Sequence, residues 1–300
     1  MNGDDAIILQ QLWDEHVAWS AAADKLKSRL TTARKIALTL TIAGAALQTL
    51  AVTWNGARFA VGMAGTVALA LVPFIGGYFL TAADTRRWLR ARSISEAIKS
   101  EFFRFRASAD PYHEDGALDR LLRKVREIRK WGEDMEVVRS RAAFTPGDPP
   151  PSLDAAAYLQ RRIAQQVSQY YRPKAKQNAS LAEQFRFVQI LLAGIAAVLS
   201  ALATFLSGNT SGTASAFGPW VAVVTTIGGS LAAHAAAARY EFQATTFSAT
   251  ARQLEDLSQD WQSSKKASPS PEWSAFVRDC EEVISAENRG WMAKLDDPSK

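Results

Sequence analysis

Four long stretches without any charged side chain constrain what this chain can fold into. Two lie between Lys35 and Asp84, separated by a short turn that carries Arg58, and two more lie between Phe187 and Ala238. A helix rises about 1.5 Å per residue, so each stretch is long enough to cross roughly 30 Å of hydrocarbon. The sequence therefore predicts an all-α integral membrane protein with four transmembrane helices in two hairpins. The predicted membrane helices are about 35–55, 60–83, 187–207 and 217–238.

The segment SGNTSGTASAFGP, residues 207–219, predicts an exposed loop between the third and fourth helices, because it is rich in Gly, Ser, Thr and Asn. The alternative to membrane insertion is a soluble protein with four buried core helices. A soluble helix of about 20 residues normally has a charged outer face, and these four stretches have none. The pattern therefore favours a membrane over a soluble core.

Basic residues predict the orientation of the hairpins. They cluster where the long polar segments meet the membrane helices, whereas the two hairpin loops contain only Arg58. Because cytoplasmic flanks are enriched in Lys and Arg, both hairpins are expected to point away from the cytoplasm. Both termini and a helical bundle are then expected in the cytoplasm. The flanking basic residues are Lys25, Lys27, Arg29, Arg34, Lys35, Arg86, Arg87, Arg90, Arg92, Arg172, Lys174, Lys176, Arg186 and Arg239.

The two halves of the sequence contain the same parts in the same order, with a period of roughly 155 residues. Each half has a polar helix, a membrane hairpin, a helix that continues from the membrane and a final amphipathic helix. Both halves start on the same side, which predicts an internal parallel duplication. The expected domains are a two-transmembrane helical domain at 1–144, a Pro-rich linker at 145–152 and a second such domain at 153–300.

The final helix of each half shows an apolar stripe at helical spacing. In the first half the stripe includes Leu121 and Val125, and in the second half Ser270 is the expected N-cap before Pro271 at the first helical position. Cys280 is the single cysteine of the chain and falls within the second stripe, so packing is its expected role. One cysteine also excludes an intramolecular disulfide.

The chain resembles the SLATT families, the two-transmembrane effector domains associated with SMODS nucleotidyltransferases and SLOG proteins. The resemblance rests on TRRWLRARSISEAIKSEFFRF after the first hairpin, on YLQRRIAQQVSQYYRPKAKQNASLAEQFRF before the third membrane helix, and on CEEVISAENRGWMAKL near the end. It covers nearly the whole chain as two such domains in tandem.

The resemblance implies a membrane effector of a bacterial anti-phage or conflict system in the inner (cytoplasmic) membrane. Such an effector would form a homo-oligomer in the lipid bilayer and would form pores or disrupt the membrane when signalled. The implied partner is a nucleotidyltransferase, a SLOG protein or another sensor that acts on the cytoplasmic helices, with a nucleotide as one possible signal. Direct nucleic-acid binding is not expected, because the aromatic residues fall at helical spacing and the basic residues lie beside the apolar blocks.

Catalytic motifs are missing from the sequence, so no enzyme, no cofactor and no metal site is expected. There are three histidines, without an HExxH pair, and neither a phosphate-binding Gly-rich loop ending in Lys-Ser or Lys-Thr nor a Gly-x-Ser-x-Gly elbow occurs. The remaining functional alternatives are a non-enzymatic membrane anchor that recruits a soluble defence enzyme and a constitutive ion or small-solute channel.

A few polar residues inside the membrane helices are candidate pathway or helix-interface residues: Gln48, Gln189 and His234. Each is either a hydrogen-bonding group between helices or part of a water-lined path, and the residues alone leave both readings open. Pro73, Gly76 and Gly77 predict a kink in the second membrane helix and form a candidate hinge. Pairs of small residues four apart, such as Gly229 and Ala233, predict close helix association. The other such pairs are Ala64 and Ala68, Ala193 and Ala197, and Gly228 and Ala232.

Overall fold

The computed structural model of the chain describes residues 3–53, 55–207, 214–264 and 267–295, apart from the side chains of 55, 207, 214–216 and 287–295. Within these ranges the regular secondary structure is entirely helical. The α-helices are α1 (Gly3–Thr53), α2 (Arg58–Phe79), α3 (Ala82–Arg106), α4 (Ala117–Arg129), α5 (Glu136–Ser140), α6 (Ala155–Tyr158), α7 (Arg172–Ser207), α8 (Ala214–Ala238), α9 (Tyr240–Ser264) and α10 (Pro271–Leu295). The all-α prediction is confirmed.

The polar N-terminal helix and the first membrane helix are one element. The 51-residue α1 runs unbroken from Gly3 to Thr53, because it contains no proline and only one internal glycine, Gly44. In the second half, α6, two π-helical segments (Leu159–Ala164 and Gln166–Tyr171) and α7 likewise form a continuous helix of 52 residues, Ala155–Leu206. The sequence predicts a separate polar helix before the first membrane helix of each half, and the structure joins the two into one helix in both halves.

The helices that follow the hairpins do not continue smoothly. α2 ends at Phe79, four residues before the predicted end of the second membrane helix, and α3 begins at Ala82. α8 ends at Ala238, and Arg239 adopts a positive φ of 52° before α9. The predicted loop at 207–219 is also shorter than expected, because α8 begins at Ala214, while 208–213 and Trp54 of the first hairpin lie outside the described residues.

The chain forms two compact units, and each unit takes segments from both halves of the sequence. The first, here called the head unit, comprises Met1–Ser28, Ala82–Ala175 and Thr245–Lys300. The second, called the apolar unit, comprises Arg29–Thr81 and Lys176–Ala244. The non-helical stretch 142–154, which includes the Pro-rich segment, belongs to the head unit.

Two apolar clusters hold the head unit together. One joins α1, α3 and α4 through residues that include Leu9, Trp19, Ile94, Ile98, Phe102, Leu121 and Val125. The other joins α3, the first π-helical segment, α9 and α10 through residues that include Phe103, Tyr158, Ile163, Leu254, Trp261, Trp273 and Cys280. The α4 stripe and the burial of Cys280 are confirmed.

The start of α10 ties the second half of the chain to the first. The Ser270 hydroxyl accepts a hydrogen bond from the Trp273 backbone N–H at 3.1 Å, which confirms the predicted N-cap. The Trp273 indole donates to the Ala107 carbonyl at 2.8 Å, and Ser274 accepts from the Asp110 backbone N–H at 3.0 Å. These bonds position α10 against the end of α3.

In the apolar unit, α1 and α2 approach closely at glycines. A Cβ atom at Gly44 would lie 2.7 Å from Leu69 Cγ, and one at Gly65 would lie 3.1 Å from the Gln48 backbone nitrogen. Elsewhere the apolar helices are exposed. Only 6% to 17% of the most apolar 18-residue window in each of the four helices is buried, and all four are long and apolar enough to cross a membrane. They are therefore not the buried core helices that the soluble alternative requires.

Candidate functional site

A fully buried ion pair lies inside the head unit. Arg162 donates from Nε to Glu281 Oε1 at 2.7 Å and from Nη2 to Glu281 Oε2 at 2.6 Å. The two side chains are only 1% and 3% exposed. The Tyr158 hydroxyl donates to Glu281 Oε1 at 3.0 Å, so three hydrogen bonds converge on one carboxylate. This geometry is the bidentate form that gives the strongest charge-assisted hydrogen bonds.

The ion pair joins elements that are far apart in the sequence. Arg162 lies in the first π-helical segment, where the backbone N–H of Gln165 bonds to the Gln160 carbonyl five residues earlier. Segments of this kind are rare and occur frequently at functional sites. Glu281 comes from the third turn of α10, on its buried face, and the Arg162 guanidinium lies 4.5 Å from the ring centroid of Phe103 on α3. Three elements therefore meet at this pair.

Further charges on α3 surround the pair. Burial would raise the pKa of Glu96, but the positive charges of Lys99 and Arg162 outweigh it and hold that pKa below its usual value. Burial lowers the pKa of Lys99, although Glu96 opposes the shift. Glu96 Oε2 and Arg162 Nη1 are shielded from solvent and have no hydrogen-bond partner among the described residues. A buried cluster that is only partly satisfied carries an unfavourable free energy that a rearrangement can relieve.

His16 of α1 extends this cluster. The Ser95 hydroxyl donates to the His16 backbone carbonyl at 3.0 Å, and His16 Nδ1 lies 2.9 Å from the same hydroxyl oxygen. Because the one hydroxyl proton is used in the first bond, Nδ1 carries the proton in the second. Burial lowers the pKa of His16 to about 4, and Lys99 adds to the shift. His16 is therefore neutral at pH 7.

The His16 shift predicts that the head unit loses stability as the pH falls from 7 to 5. The unfolded chain takes up a proton near pH 6.5 and the folded chain near pH 4, so the unfolded state binds more protons between these values. The expected loss at pH 5 is about 2 kcal/mol. Melting temperatures measured across this range for wild type and His16→Asn check it, since asparagine retains a donor near Nδ1. An equal pH slope in both proteins would contradict the assignment.

The sequence reading missed the ion pair, although a local signal exists. Glu281 falls between Val277 and Ile284 on the apolar stripe of α10, and Arg162 follows Tyr158 by one turn on the buried side of its segment. A charged residue inside an apolar stripe is unusual, because burying a charge without a partner is costly. The two partners are 119 positions apart, so local periodicity does not show that they meet.

A cleft of about 740 Å³ in the head unit reaches Glu281. It is lined by residues of α3, α4, α10 and the turn after α4, with Glu96, Glu127 and Glu282 among its carboxylates. Trp131 borders the cleft and is 53% exposed. Apart from Glu281, which is paired with Arg162, the lining contains four carboxylates and three cations, so it has an excess of one negative charge. A basic side chain of another protein is complementary to this surface.

The exposed face of α8 differs from those of the other apolar helices. It consists only of small residues and is here called the α8 small-residue face: Ala222, Thr225, Thr226, Gly229, Ala232, Ala233, Ala236 and Ala237. By contrast, α2 exposes Phe59, Met63, Val67, Leu71, Phe74 and Tyr78, and α7 exposes Phe187, Ile190, Leu191, Val198, Leu202 and Phe205. Among residues 217–238, no large apolar side chain is exposed. Large apolar faces suit lipid, whereas small-residue faces let helix backbones approach each other.

The predicted polar residues lie on three different helices. Gln48 on α1 donates from Nε2 to the Gly62 carbonyl at 3.2 Å and to Thr66 Oγ1 at 2.8 Å on α2. Gln48 therefore links α1 to α2 by hydrogen bonds. Gln189 is half-buried on α7.

His234 is half-buried on the inner side of α8, away from the small-residue face. Its ring centroid lies 5.5 Å from that of Phe185 on α7. Pro73 lies within α2, and the positions where Gly76 and Gly77 would carry a Cβ atom are open, with no atom of the described residues within 4 Å. Whether the three residues act as a hinge stays a prediction.

Comparison with known families finds a match to part of each half of the chain. Residues 158–291 match the family described as "SMODS and SLOG-associating 2TM effector domain 1", an effector domain with two transmembrane helices that is associated with conflict systems. Residues 17–117 match a different family, described as "Protein of unknown function (DUF4231)". No curated protein and no solved structure gives a significant match. The match in the second half supports the predicted resemblance to the SLATT families, and the match in the first half is to another family, so two copies are not shown.

Proposed function

We propose that this protein is a membrane-embedded effector of a bacterial anti-phage or conflict system. It oligomerises in the inner membrane and opens or disrupts the bilayer when a cytoplasmic partner or nucleotide signal acts on the head unit. It needs no catalysis and no cofactor. The observation that carries the proposal is the α8 small-residue face, because a single chain leaves this face exposed although it suits another helix better than lipid.

The element lengths support an internal parallel duplication in this effector. Each half opens with one unbroken helix of 51 or 52 residues, continues with a shorter apolar helix and a break, and then has a helix of 25 residues. Two hairpins in the same orientation place both termini on the cytoplasmic side, as the flanking basic residues favour. The head unit then lies in the cytoplasm, where a partner reaches it.

The buried ion pair supports a switch in the head unit. A signal shifts a conformational equilibrium only if it binds one state better than the other. The cleft beside Glu281 offers a basic side chain of a partner an acidic surface next to the buried carboxylate that Arg162 holds. Competition for Glu281 would release α10 from the π-helical segment and so change the packing of the head unit.

Membrane permeability in growing bacteria tests the proposal. The protein is induced together with its neighbouring genes and their activating signal, and membrane potential and dye exclusion are followed. We expect rapid depolarisation. A variant in which residues 187–238 are replaced by an unrelated membrane hairpin is expected to leave the potential intact. If the wild-type protein does not change potential or dye uptake, it is not a permeabilising effector, and if the exchanged variant remains fully active, the helices serve only as an anchor.

A further inference from the structure

A second, smaller cleft of the head unit has the chemistry of an anion site. It encloses about 260 Å³ between α1, α3 and the second π-helical segment. Lys27, Arg92 and Lys99 contribute three positive charges to its lining, and Asp24 and Glu96 contribute two negative ones. The cleft therefore has one cation in excess. The neighbouring Arg162 and Glu281 do not change this balance, because they neutralise each other.

Of the three cations of this cleft, Arg92 is held in place by a hydrogen bond and Lys27 lies beside an aromatic ring. Arg92 donates from Nη2 to the Tyr170 hydroxyl at 2.8 Å, and Lys27 Nζ lies 5.8 Å from the ring centroid of Trp88. Lys99 is half-buried on α3, one turn beyond Ser95. A side chain that is already fixed loses less conformational entropy when a ligand binds. The lining is also rich in other hydrogen-bond donors, namely Ser20, Gln166 and Tyr170.

The charged form of Lys99 is disfavoured in this cleft. Burial lowers the pKa of this ammonium group and the positive charges of Arg162 and Arg92 add to the shift, whereas Glu96 and Glu281 oppose it only partly. An anion placed among the three cations favours their charged forms and relieves the repulsion. Phosphate suits the arrangement, because its several oxygens accept hydrogen bonds from Arg and Lys at once.

We propose that this cleft binds a phosphate group between Lys27, Arg92 and Lys99. Its volume of about 260 Å³ is below the 300–1,000 Å³ of typical pockets for larger organic ligands, so the bound part is a phosphate with few additional atoms and not a whole nucleotide. The phosphate comes either from a small soluble compound or from an anionic lipid headgroup, which present the same chemistry. The inference rests on the head unit alone and does not require that the protein permeabilises membranes.

Titration calorimetry of the purified full chain tests this site. Sodium phosphate is titrated into the protein, which is held in nanodiscs of phosphatidylcholine. A titration of sodium chloride at equal ionic strength is the reference. We expect saturable phosphate binding that weakens at least about threefold in Lys27→Gln and about tenfold in Lys99→Met, since each removes a charge-assisted hydrogen bond. Arg123→Gln is the matched control, because Arg123 is exposed on α4 outside the cleft and the change in net charge is the same.

Nanodiscs that contain phosphatidylglycerol distinguish the two sources. If the headgroup fills the cleft, phosphate binds more weakly in these discs than in phosphatidylcholine, and Lys99→Met removes the difference. If a soluble phosphate compound is the ligand, the two lipids give the same affinity. Lys27→Gln keeps the test valid if Lys99→Met fails to fold, because Lys27 is exposed. Absence of saturable phosphate binding in phosphatidylcholine discs, or equal binding in wild type, Lys27→Gln and Lys99→Met, would overturn the proposal.

Discussion

Replacement of Glu281 by glutamine is expected to lower the melting temperature of the protein by roughly 10 °C. The substitution keeps the shape of the side chain but leaves the Arg162 guanidinium buried without the carboxylate that it is bonded to. Removal of one partner from a buried ion pair costs about 3–5 kcal/mol. For a folded unit of this size, 1 kcal/mol corresponds to about 2–4 °C. Thermal unfolding followed by near-ultraviolet circular dichroism measures the shift, because the aromatic cluster around Trp273 lies beside the pair.

A surface pair provides the matched control for this prediction. Arg172 and Glu255 form the same bidentate contact in the head unit, with N to O distances from 2.6 to 2.9 Å, but their side chains are 64% and 34% exposed. Glu255→Gln is therefore expected to cost only about 0–1 kcal/mol, since water screens the pair. If Glu255→Gln and Glu281→Gln lower the melting temperature equally, burial is not the source of the effect.

A second comparison separates the cost of an unpaired charge from a loss of packing. The triple variant Tyr158→Phe, Arg162→Leu and Glu281→Met removes all three polar partners together. Apolar replacement of a whole buried ionic network is often neutral or stabilising. We therefore expect the triple variant to recover most of the stability that Glu281→Gln loses. Failure to recover would show that the polar groups are needed for the packing of α10.

Leucine at Gly229 is expected to reduce oligomer formation at least about tenfold and to abolish membrane depolarisation. Apart from its chain neighbours and the backbone of its own helix, a Cβ atom at Gly229 would have no atom of the described residues within 4 Å, so the single chain accommodates a larger side chain. Between two α8 small-residue faces the same leucine would overpack the contact, which costs about 1–3 kcal/mol. Crosslinking by a reagent that does not react with cysteine, carried out in native membranes, measures the fraction of oligomer. A potential-sensitive dye measures depolarisation.

The control for Gly229→Leu lies on α7. Ala201 is exposed on α7, a helix whose exposed surface carries Val198, Leu202 and Phe205. Ala201→Leu adds a large apolar side chain to a surface that already suits lipid, so oligomer formation and depolarisation should remain at the wild-type level. If Gly229→Leu behaves like Ala201→Leu, the α8 small-residue face is not the contact between copies.

The apolar helices were predictable from the sequence because their signal is local. A charge-free stretch such as that between Arg58 and Asp84 needs no information about distant residues to be identified as a candidate span. The N-cap at Ser270 was predictable for the same reason, because its signal lies in adjacent residues. The continuity of α1 was not predicted, because a change from polar to apolar composition suggests a boundary although no helix-breaking residue is present.

The exposed face of a helix depends on the neighbouring helices, so it could not be predicted from the sequence. The spacing identified Gly228 and Gly229 alike as small residues suited to helix contacts. The structure separates them, because Gly228 is half-buried and Gly229 lies on the exposed face with Ala233. The Arg162 and Glu281 pair and the two clefts are likewise products of tertiary packing between distant segments.

The unequal ends of the two hairpins have a mechanical consequence. One leg of each hairpin is a continuous helix, α1 at about 75 Å by helical rise and the 52-residue helix Ala155–Leu206. The other leg is interrupted, at Leu80 and Thr81 in the first hairpin and at Arg239 in the second. The backbone hydrogen-bond ladder is broken at these positions, so the outgoing leg of each hairpin can bend there without the loss of further helical hydrogen bonds.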